Sequence, residues 1–245
     1  MIDLHCHLLP GIDDGAEDME TALLMARTAA DSGVDTIVAT PHCNLPGAKR
    51  DNFISEELTD RFLQLQEAIR KEQLPLTVLP GAEVMGTPRV PELVRRGVLP
   101  TLANSDYLLV EFFFDEDIAY MDHILSSIAA CGLHPVIAHP ERYEAVQEMP
   151  LVIDRWFHTG VVIQLNKGSI LGRLGHRAEE TAWWLLERGL AHTAASDAHG
   201  VAERSPRLDG LREWLEDRTS PAYAHILLEE NPSRICRNRP LLQAN

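Results

Sequence analysis

Apolar and polar residues alternate from Ile2 to His7, a period of two that predicts a strand carrying His5 and His7 on one face. Pro10-Gly11 and Asp14-Gly15 then stop the strand and turn Asp14 back toward its carboxyl end. Over residues 17–32 the period changes. Met19, Leu23, Ala26 and Ala30 recur at helical spacing, and Gly33 ends the run. The alternation of strand and helix then repeats along the chain. Further strands are predicted at 34–40, 76–79, 107–110, 135–138, 161–165 and 191–195, and helices at 53–72, 91–97, 118–131, 151–159, 177–188, 208–217 and 222–228. Asn231-Pro232 reads as an N-cap followed by proline at the first helical position.

Seven strands, each followed by helical material, imply right-handed β/α units and a parallel sheet. Periodicity alone does not separate an open sheet from a closed barrel. The polar residues do: they fall at the carboxyl ends of strands one, two, three, four, five and seven, and only a closed barrel brings six strand ends to one centre. The expected fold is therefore α/β, a distorted (β/α)7 barrel, formed as one domain over residues 1–245.

Composition adds limits. An apolar share of 45% supplies ample material for a core. The formal charge of −15, from 22 basic and 37 acidic residues, opposes non-specific binding to nucleic acid or to an anionic membrane. Cys6, Cys43, Cys131 and Cys236 show no C-x-x-C spacing, and no signal peptide or long apolar span is visible, so a reducing cytoplasm and a chain not inserted in a membrane are expected. Alternation points Cys6 into the barrel wall.

Nine residues at or just past strand ends carry the candidate chemistry: His5, His7, Asp14, His42, Glu83, Glu111, His139, Asp197 and His199. Imidazole mixed with carboxylate suits zinc, manganese or iron. At three or four protein ligands per ion, nine side chains hold two or three divalent ions. Such a cluster is locally positive and attracts an anion despite the overall charge. His123, His134, His158, His176, His192 and His225 lie on helices or strand beginnings and are set aside. Arg142 and Arg204 fall beside the ligands, where a cation is costly unless an anion joins it. A guanidinium fork matches phosphate oxygens, so a phosphate held between metals and arginines is expected, with Arg142, Arg204 and Asp14 as the catalytic residues and no organic cofactor. A water acidified by the ions would be the nucleophile, leaving Cys6 and Cys43 dispensable.

Together these residues resemble the polymerase-and-histidinol-phosphatase (PHP) superfamily, and within it the bacterial protein-tyrosine phosphatases encoded with capsular or exopolysaccharide machinery. The resemblance rests on Asp3-Leu4-His5-Cys6-His7, Gly11-Ile12-Asp13-Asp14-Gly15, Ala39-Thr40-Pro41-His42, Pro80-Gly81-Ala82-Glu83, Leu109-Val110-Glu111-Phe112, Ala138-His139-Pro140-Glu141-Arg142-Tyr143, Ala195-Ser196-Asp197-Ala198-His199 and Glu230-Asn231-Pro232. It implies an amidohydrolase-like distorted barrel, a trinuclear site usually credited with manganese, and dephosphorylation of the tyrosine-rich C-terminal tail of a bacterial tyrosine kinase. The loop 43–52 departs from Gram-positive relatives, which leaves peptide recognition and the oligomeric state, including a homo-oligomer, open. The alternatives are a small-molecule phosphomonoesterase such as a histidinol phosphatase, and a non-catalytic scaffold, which would need neither the ligands nor the arginines.

Overall fold

In the computed structural model, which describes residues 1–243, the seven expected strands are present, but two are broken, giving nine segments. In chain order the elements are β1 (Ile2–Cys6), α1 (Met19–Ala30), β2 (Thr36–Ala39), β3 (His42–Cys43), α2 (Glu56–Lys71), β4 (Thr77–Pro80), β5 (Glu83–Met85), α3 (Val90–Arg95), β6 (Tyr107–Glu111) and α4 (Ile118–Ala130). The second half comprises β7 (His134–Ala138), α5 (Glu144–Glu148), α6 (Leu151–His158), β8 (Val162–Asn166), α7 (Lys167–Ile170), α8 (His176–Glu187), β9 (Thr193–Ala195), α9 (Asp209–Arg218), α10 (Pro221–His225) and α11 (Asn231–Cys236). The short helices α5 and α7 have no counterpart in the sequence pattern.

All pairings are parallel. One sheet runs β1-β2-β4 and the other β3-β5-β6-β7-β8-β9. They share two continuous stretches of chain, because β2 passes into β3 at Thr40-Pro41 and β4 into β5 at Gly81-Ala82. Pro41 cannot donate to a ladder, yet its carbonyl still accepts from Glu83 N at 3.1 Å. At Gly81 a Cβ would lie 2.7 Å from Val38 Cγ1, so glycine lets the second break press against β2. The remaining seam joins the first strand to the last: His7 N donates to Ala198 O at 2.9 Å and Asp197 N to His5 O at 2.8 Å. The ring of seven strand directions is thereby closed as the distorted (β/α)7 barrel.

The breaks correct the expected positions of two site residues. His42 and Glu83 do not trail their strands; each lies in a second short segment, where they are register partners. A further irregularity lies in β1, where Asp3 pairs with Ile37 but Cys6 pairs with Ala39, leaving one extra residue on β1. Leu4 therefore joins the barrel interior below, while His5 and His7 reach the mouth above.

The apolar core has two parts. Strands and surrounding helices share the larger one, which includes Cys6, Ile37, Leu65, Leu108, Ile137, Ile163 and Leu185. A smaller one fills the barrel with Leu4, Val38, Leu109, Val136, Ala138 and Val162, plugged by Ile235 of α11. Truncating one of these leucines to alanine costs about 2–5 kcal/mol.

Local signals set several helix starts. Asp18 accepts from Thr21 N at 2.8 Å, Ser55 from Leu58 N at 3.2 Å and Asp117 from Tyr120 N at 2.8 Å. The second helix therefore begins after Ser55 and not at Phe53. The N-cap reading of Asn231 is overturned: its backbone is helical, and the chain passes from α10 through a π-helical turn, Ile226–Glu230, directly into α11. The Asn231 side chain instead donates to His192 O at 2.9 Å and accepts from Leu242 N at 2.8 Å. Those distant carbonyl and amide partners compete for the amide that a free helix end would have used.

Candidate metal centre

The carboxyl ends of the strands place the nine predicted residues in one mouth. Eight of them form three overlapping groups whose ligand atoms lie within 4.8 Å of one another: His7, Asp14, His42 and His199; His5, His7, Glu83 and Asp197; His42, Glu83 and Glu111. His139 joins through Glu83, with Nε2 2.9 Å from Oε1. Glu83 thus belongs to two of the three groups. Asp14 reaches the site through a tight turn in which Ala16 N donates to His7 O, and a Cβ on Gly15 would sit 2.1 Å from that same oxygen. Only glycine permits this approach. Its carboxylate lies 3.4 Å from Nε2 of both His42 and His199.

The hydrogen bonds fix which imidazole nitrogens face inward. Gln164 Nε2 donates to Leu165 O, so its Oε1, 2.8 Å from His5 Nδ1, must accept from that nitrogen. Asp13 Oδ2 accepts from His7 Nδ1 at 2.7 Å and also from His42 N at 2.9 Å. With Nδ1 protonated in both neutral rings, His5 Nε2 and His7 Nε2 present bare lone pairs to each other at 3.3 Å. Glu83 Oε2 lies 3.2 Å from His5 Nε2 and 3.3 Å from His7 Nε2, buried and without a hydrogen-bond partner. With neutral rings such an arrangement is repulsive unless a metal ion sits among these atoms or protons take its place. The donor set and its orphaned atoms therefore fit divalent metal ions.

The same crowding moves the acid–base equilibria. Burial opposes charge on His42, but hydrogen bonds to Asp14 and Glu111 hold its pKa up to about 10. Burial likewise opposes a charge on His5 and His7, and the carboxylates around them raise both nonetheless. Burial pushes the Glu83 acid up, yet His5, His139 and His7 hold it well below the usual range. Burial and the negative charge of Glu83 raise Glu111. His199 and His42 keep Asp14 low. A cluster primed to hold charge of both signs at close quarters is the electrostatic pattern of a reaction centre.

Two strand-end residues adopt left-handed backbone, His139 at φ 37° and Asp197 at φ 50°. Non-glycine residues pay about 1–3 kcal/mol for strained conformations that cluster at functional sites. At Asp197 the turn splits the carboxylate between two roles. Oδ1 faces His5 and His7 at 3.5 Å, whereas Oδ2 accepts from Arg204 Nη2 at 2.8 Å, Arg142 Nη1 at 3.5 Å and Asn166 Nδ2 at 2.5 Å. Both predicted arginines thus stand at the centre. Arg142 also lies 4.4 Å over the Phe114 ring.

Several supporting residues escaped the sequence reading, Asp13, Gln164 and Asn166, whereas Phe112 to Phe114, just beyond Glu111, were expected to offer a wall for a substrate ring or an apolar cap on the barrel rim. Gln164 and Asn166 left a signal, two amides at a spacing of two in an otherwise apolar strand. Asp13 is indistinguishable by pattern from its neighbour Asp14. Phe112 is only 2% exposed and packs edge-on against Tyr143 and Tyr120, so the mouth's aromatic surface comes from the half-exposed Phe113 and Phe114. The remaining histidines stay outside: the His134 ring lies tilted against Tyr107, His192 accepts from Ile163 N, His176 pairs with Glu180 on its own helix, and His225 pairs with Glu229 in the π-helical turn that follows α10. Cys6 and Cys43 are buried free thiols; burial raises Cys6 well above the usual thiol range and Cys43 to about 12. Neither supplies a thiolate near neutrality.

Residues 1–237 match the family described as capsular polysaccharide synthesis, CpsB/CapC. The tyrosine-protein phosphatase YwqE of Bacillus subtilis is 35% identical over 243 residues, covering 99% of this chain and 94% of its own length. The tyrosine-protein phosphatase CpsB of Streptococcus pneumoniae is 29% identical, covering 96% of this chain and 98% of its own. Among solved structures, one reported with YwqE and CpsB as unique metal-dependent tyrosine phosphatases superposes with a TM-score of 0.92 at 33% identity, covering 100% of this chain and 97% of that one.

Proposed function

Because the chain belongs to the CpsB/CapC capsular polysaccharide synthesis family, we propose that it is a metal-dependent protein-tyrosine phosphatase acting on phosphotyrosine of a bacterial tyrosine kinase that controls capsular or exopolysaccharide synthesis. One observation carries this reading: His5 Nε2, His7 Nε2 and the unpartnered Glu83 Oε2 converge at 3.2–3.3 Å, a donor set suited to a divalent cation, beside two arginines. His5, His7, Glu83 and Asp197 would hold one ion, His42, Glu83, Glu111 and His139 a second, and His7, Asp14, His42 and His199 a third. We assign manganese, with zinc and iron also suited to this donor set. When bound, the ions supply Lewis-acid charge and acidify water to serve as nucleophile near neutral pH.

The chain's own residues do the rest. Gln164 and Asp13 hold the His5 and His7 rings with Nε2 facing inward, which raises ligand basicity and removes rotational freedom. Arg142 and Arg204 converge on one side of Asp197, where their remaining N–H groups can clamp the phosphoryl oxygens as charge spreads in a loose transition state. The departing phenolate, with a reference pKa of ~10, needs little acid assistance. Phe114 borders that position and offers apolar surface to the tyrosine ring.

No helix among the described residues is long and apolar enough to cross a membrane, and four free cysteines accord with a reducing cytoplasm, where we place the reaction. The test compares manganese-loaded protein on a phosphotyrosine peptide and on histidinol phosphate. Preference for the peptide is expected. A reversed preference would replace this reading with a small-molecule phosphatase.

A further inference from the structure

Beside the metal centre runs a groove of about 580 Å3, lined by Asn166, Lys167, Arg173, Ser196, Glu203 and Arg204 among others. Its charge runs against the character of the molecule. Three cations face one carboxylate, in a chain whose net charge is −15. Lys167 is buried at 3% exposure, and its ammonium donates to the carbonyls of Ser205 and Arg207, fixing the segment that follows Arg204. Arg204 spends one nitrogen on Asp197. Arg173 is different. Like Arg61, Arg89, Arg95, Arg218, Arg237 and Arg239 it forms no ion pair among the described residues, but of these unpaired arginines it is the one that lines the groove beside the metal centre.

The segment that carries Arg173 is anchored. Its backbone N donates to Gly168 O at 2.8 Å, Gly168 N donates to Asn166 Oδ1 at 2.7 Å, and the Asn166 amide donates to Asp197. A short chain of hydrogen bonds therefore fixes the groove wall relative to the reacting centre, and Arg204 and Ser196 belong to both. An unmatched guanidinium beside a shared one favours an anion with two or more oxygens.

We propose that this groove is a second anion subsite, in which Arg173 and Arg204 take a carboxylate or phosphoryl group carried by the substrate peptide beside the phosphotyrosine. The inference rests on the phosphotyrosine-peptide reading of the main site and adds a preference for acidic or multiply phosphorylated sequences. An overall acidic protein would otherwise repel them. Binding at the groove is an exposed charge interaction, so its contribution shrinks as ionic strength rises.

The test uses manganese-loaded full-length protein and peptides bearing a non-hydrolysable phosphonate in place of phosphotyrosine, with flanks that are neutral, glutamate-bearing, or bearing a second phosphonate. Calorimetry should give about three- to tenfold tighter binding for an anionic flank than for a neutral one. R173A should abolish that gain while binding the neutral peptide as before, and R173K should retain part of it. A gain with the phosphonate flank alone identifies the second group as phosphoryl; a gain with both identifies a general anion site. The absence of any gain in the wild type, or an equal gain in R173A, overturns the proposal. Hydrolysis of p-nitrophenyl phosphate by wild type and R173A, expected to be equal, reads the catalytic assignment separately.

Discussion

Arg204 Nη2 lies 2.8 Å from Asp197 Oδ2, while the other oxygen of that carboxylate faces the imidazoles of His5 and His7. One aspartate thereby sets the distance between a ligand cluster and a guanidinium. Arg142 Nη1 lies 3.5 Å from the same oxygen. Replacing either arginine by alanine should cut kcat/KM for phosphotyrosine peptides by about tenfold to a thousandfold, or about 1.4–4 kcal/mol, with bound metal unchanged. Metal analysis alongside steady-state kinetics checks this, and near-wild-type turnover in both variants would remove the arginines from the mechanism.

Chelation should abolish turnover and lower the melting temperature, because the facing lone pairs of His5 and His7 and the orphaned Glu83 oxygen then lose their counter-charge. Restoration by added manganese is expected. Full activity in protein shown by elemental analysis to be metal-free would contradict the assignment.

Asp13→Asn keeps the shape of the group that accepts from His7 Nδ1 and His42 N but removes its charge. Metal affinity should fall by about 10- to 100-fold, the usual cost of losing an outer partner of a ligating histidine. Titration calorimetry with manganese measures it. An unchanged affinity would reduce Asp13 to a turn residue.

The Phe114 ring supports the Arg142 guanidinium at 4.4 Å, and Glu144 N ties the Phe114 carbonyl to the segment bearing that arginine. Phe114→Ala should lower kcat/KM by about twofold to thirtyfold, the range of a cation–π contact, and Phe114→Trp should retain activity. If alanine and tryptophan variants behave alike, the ring does not position the arginine.

His192 offers a pH test remote from the mouth. Burial holds its pKa down to about 4, and its Nδ1 accepts from Ile163 N, a bond that protonation of that nitrogen would break. The unfolded chain binds this proton near pH 6.5, so between about 6.5 and 4 the unfolded state carries more protons than the folded one. Stability from this residue is complete above pH 6.5 and falls by about 3 kcal/mol as pH drops to 4. Denaturant unfolding of wild type and His192→Asn across that window should give curves that converge on acidification. Parallel curves would exclude the residue as a source of acid sensitivity.

Much of the site was legible in the amino-acid order because a β/α repeat sends the residues after each strand to one end of the barrel. His5, His7 and Asp14, and Asp197 and His199, could be assigned to the same mouth from turn signals and strand period alone. Asp13 and Gln164 could not. The partner of Gln164 is 159 residues away, and nothing local distinguishes an amide that orients a ligand from one that faces water. The extra residue in β1 and the breaks at Pro41 and Gly81 were equally hidden, since they depend on what each strand meets across the sheet. Sequence alone determined the repeat, the strand ends and the identity of the chemical groups. The tertiary structure decided which nitrogen of each histidine faces inward and that both arginines share one oxygen of Asp197. Periodicity reports which side of its own element a residue occupies, whereas orientation within a site is set by hydrogen-bond partners that only folding brings within 3 Å.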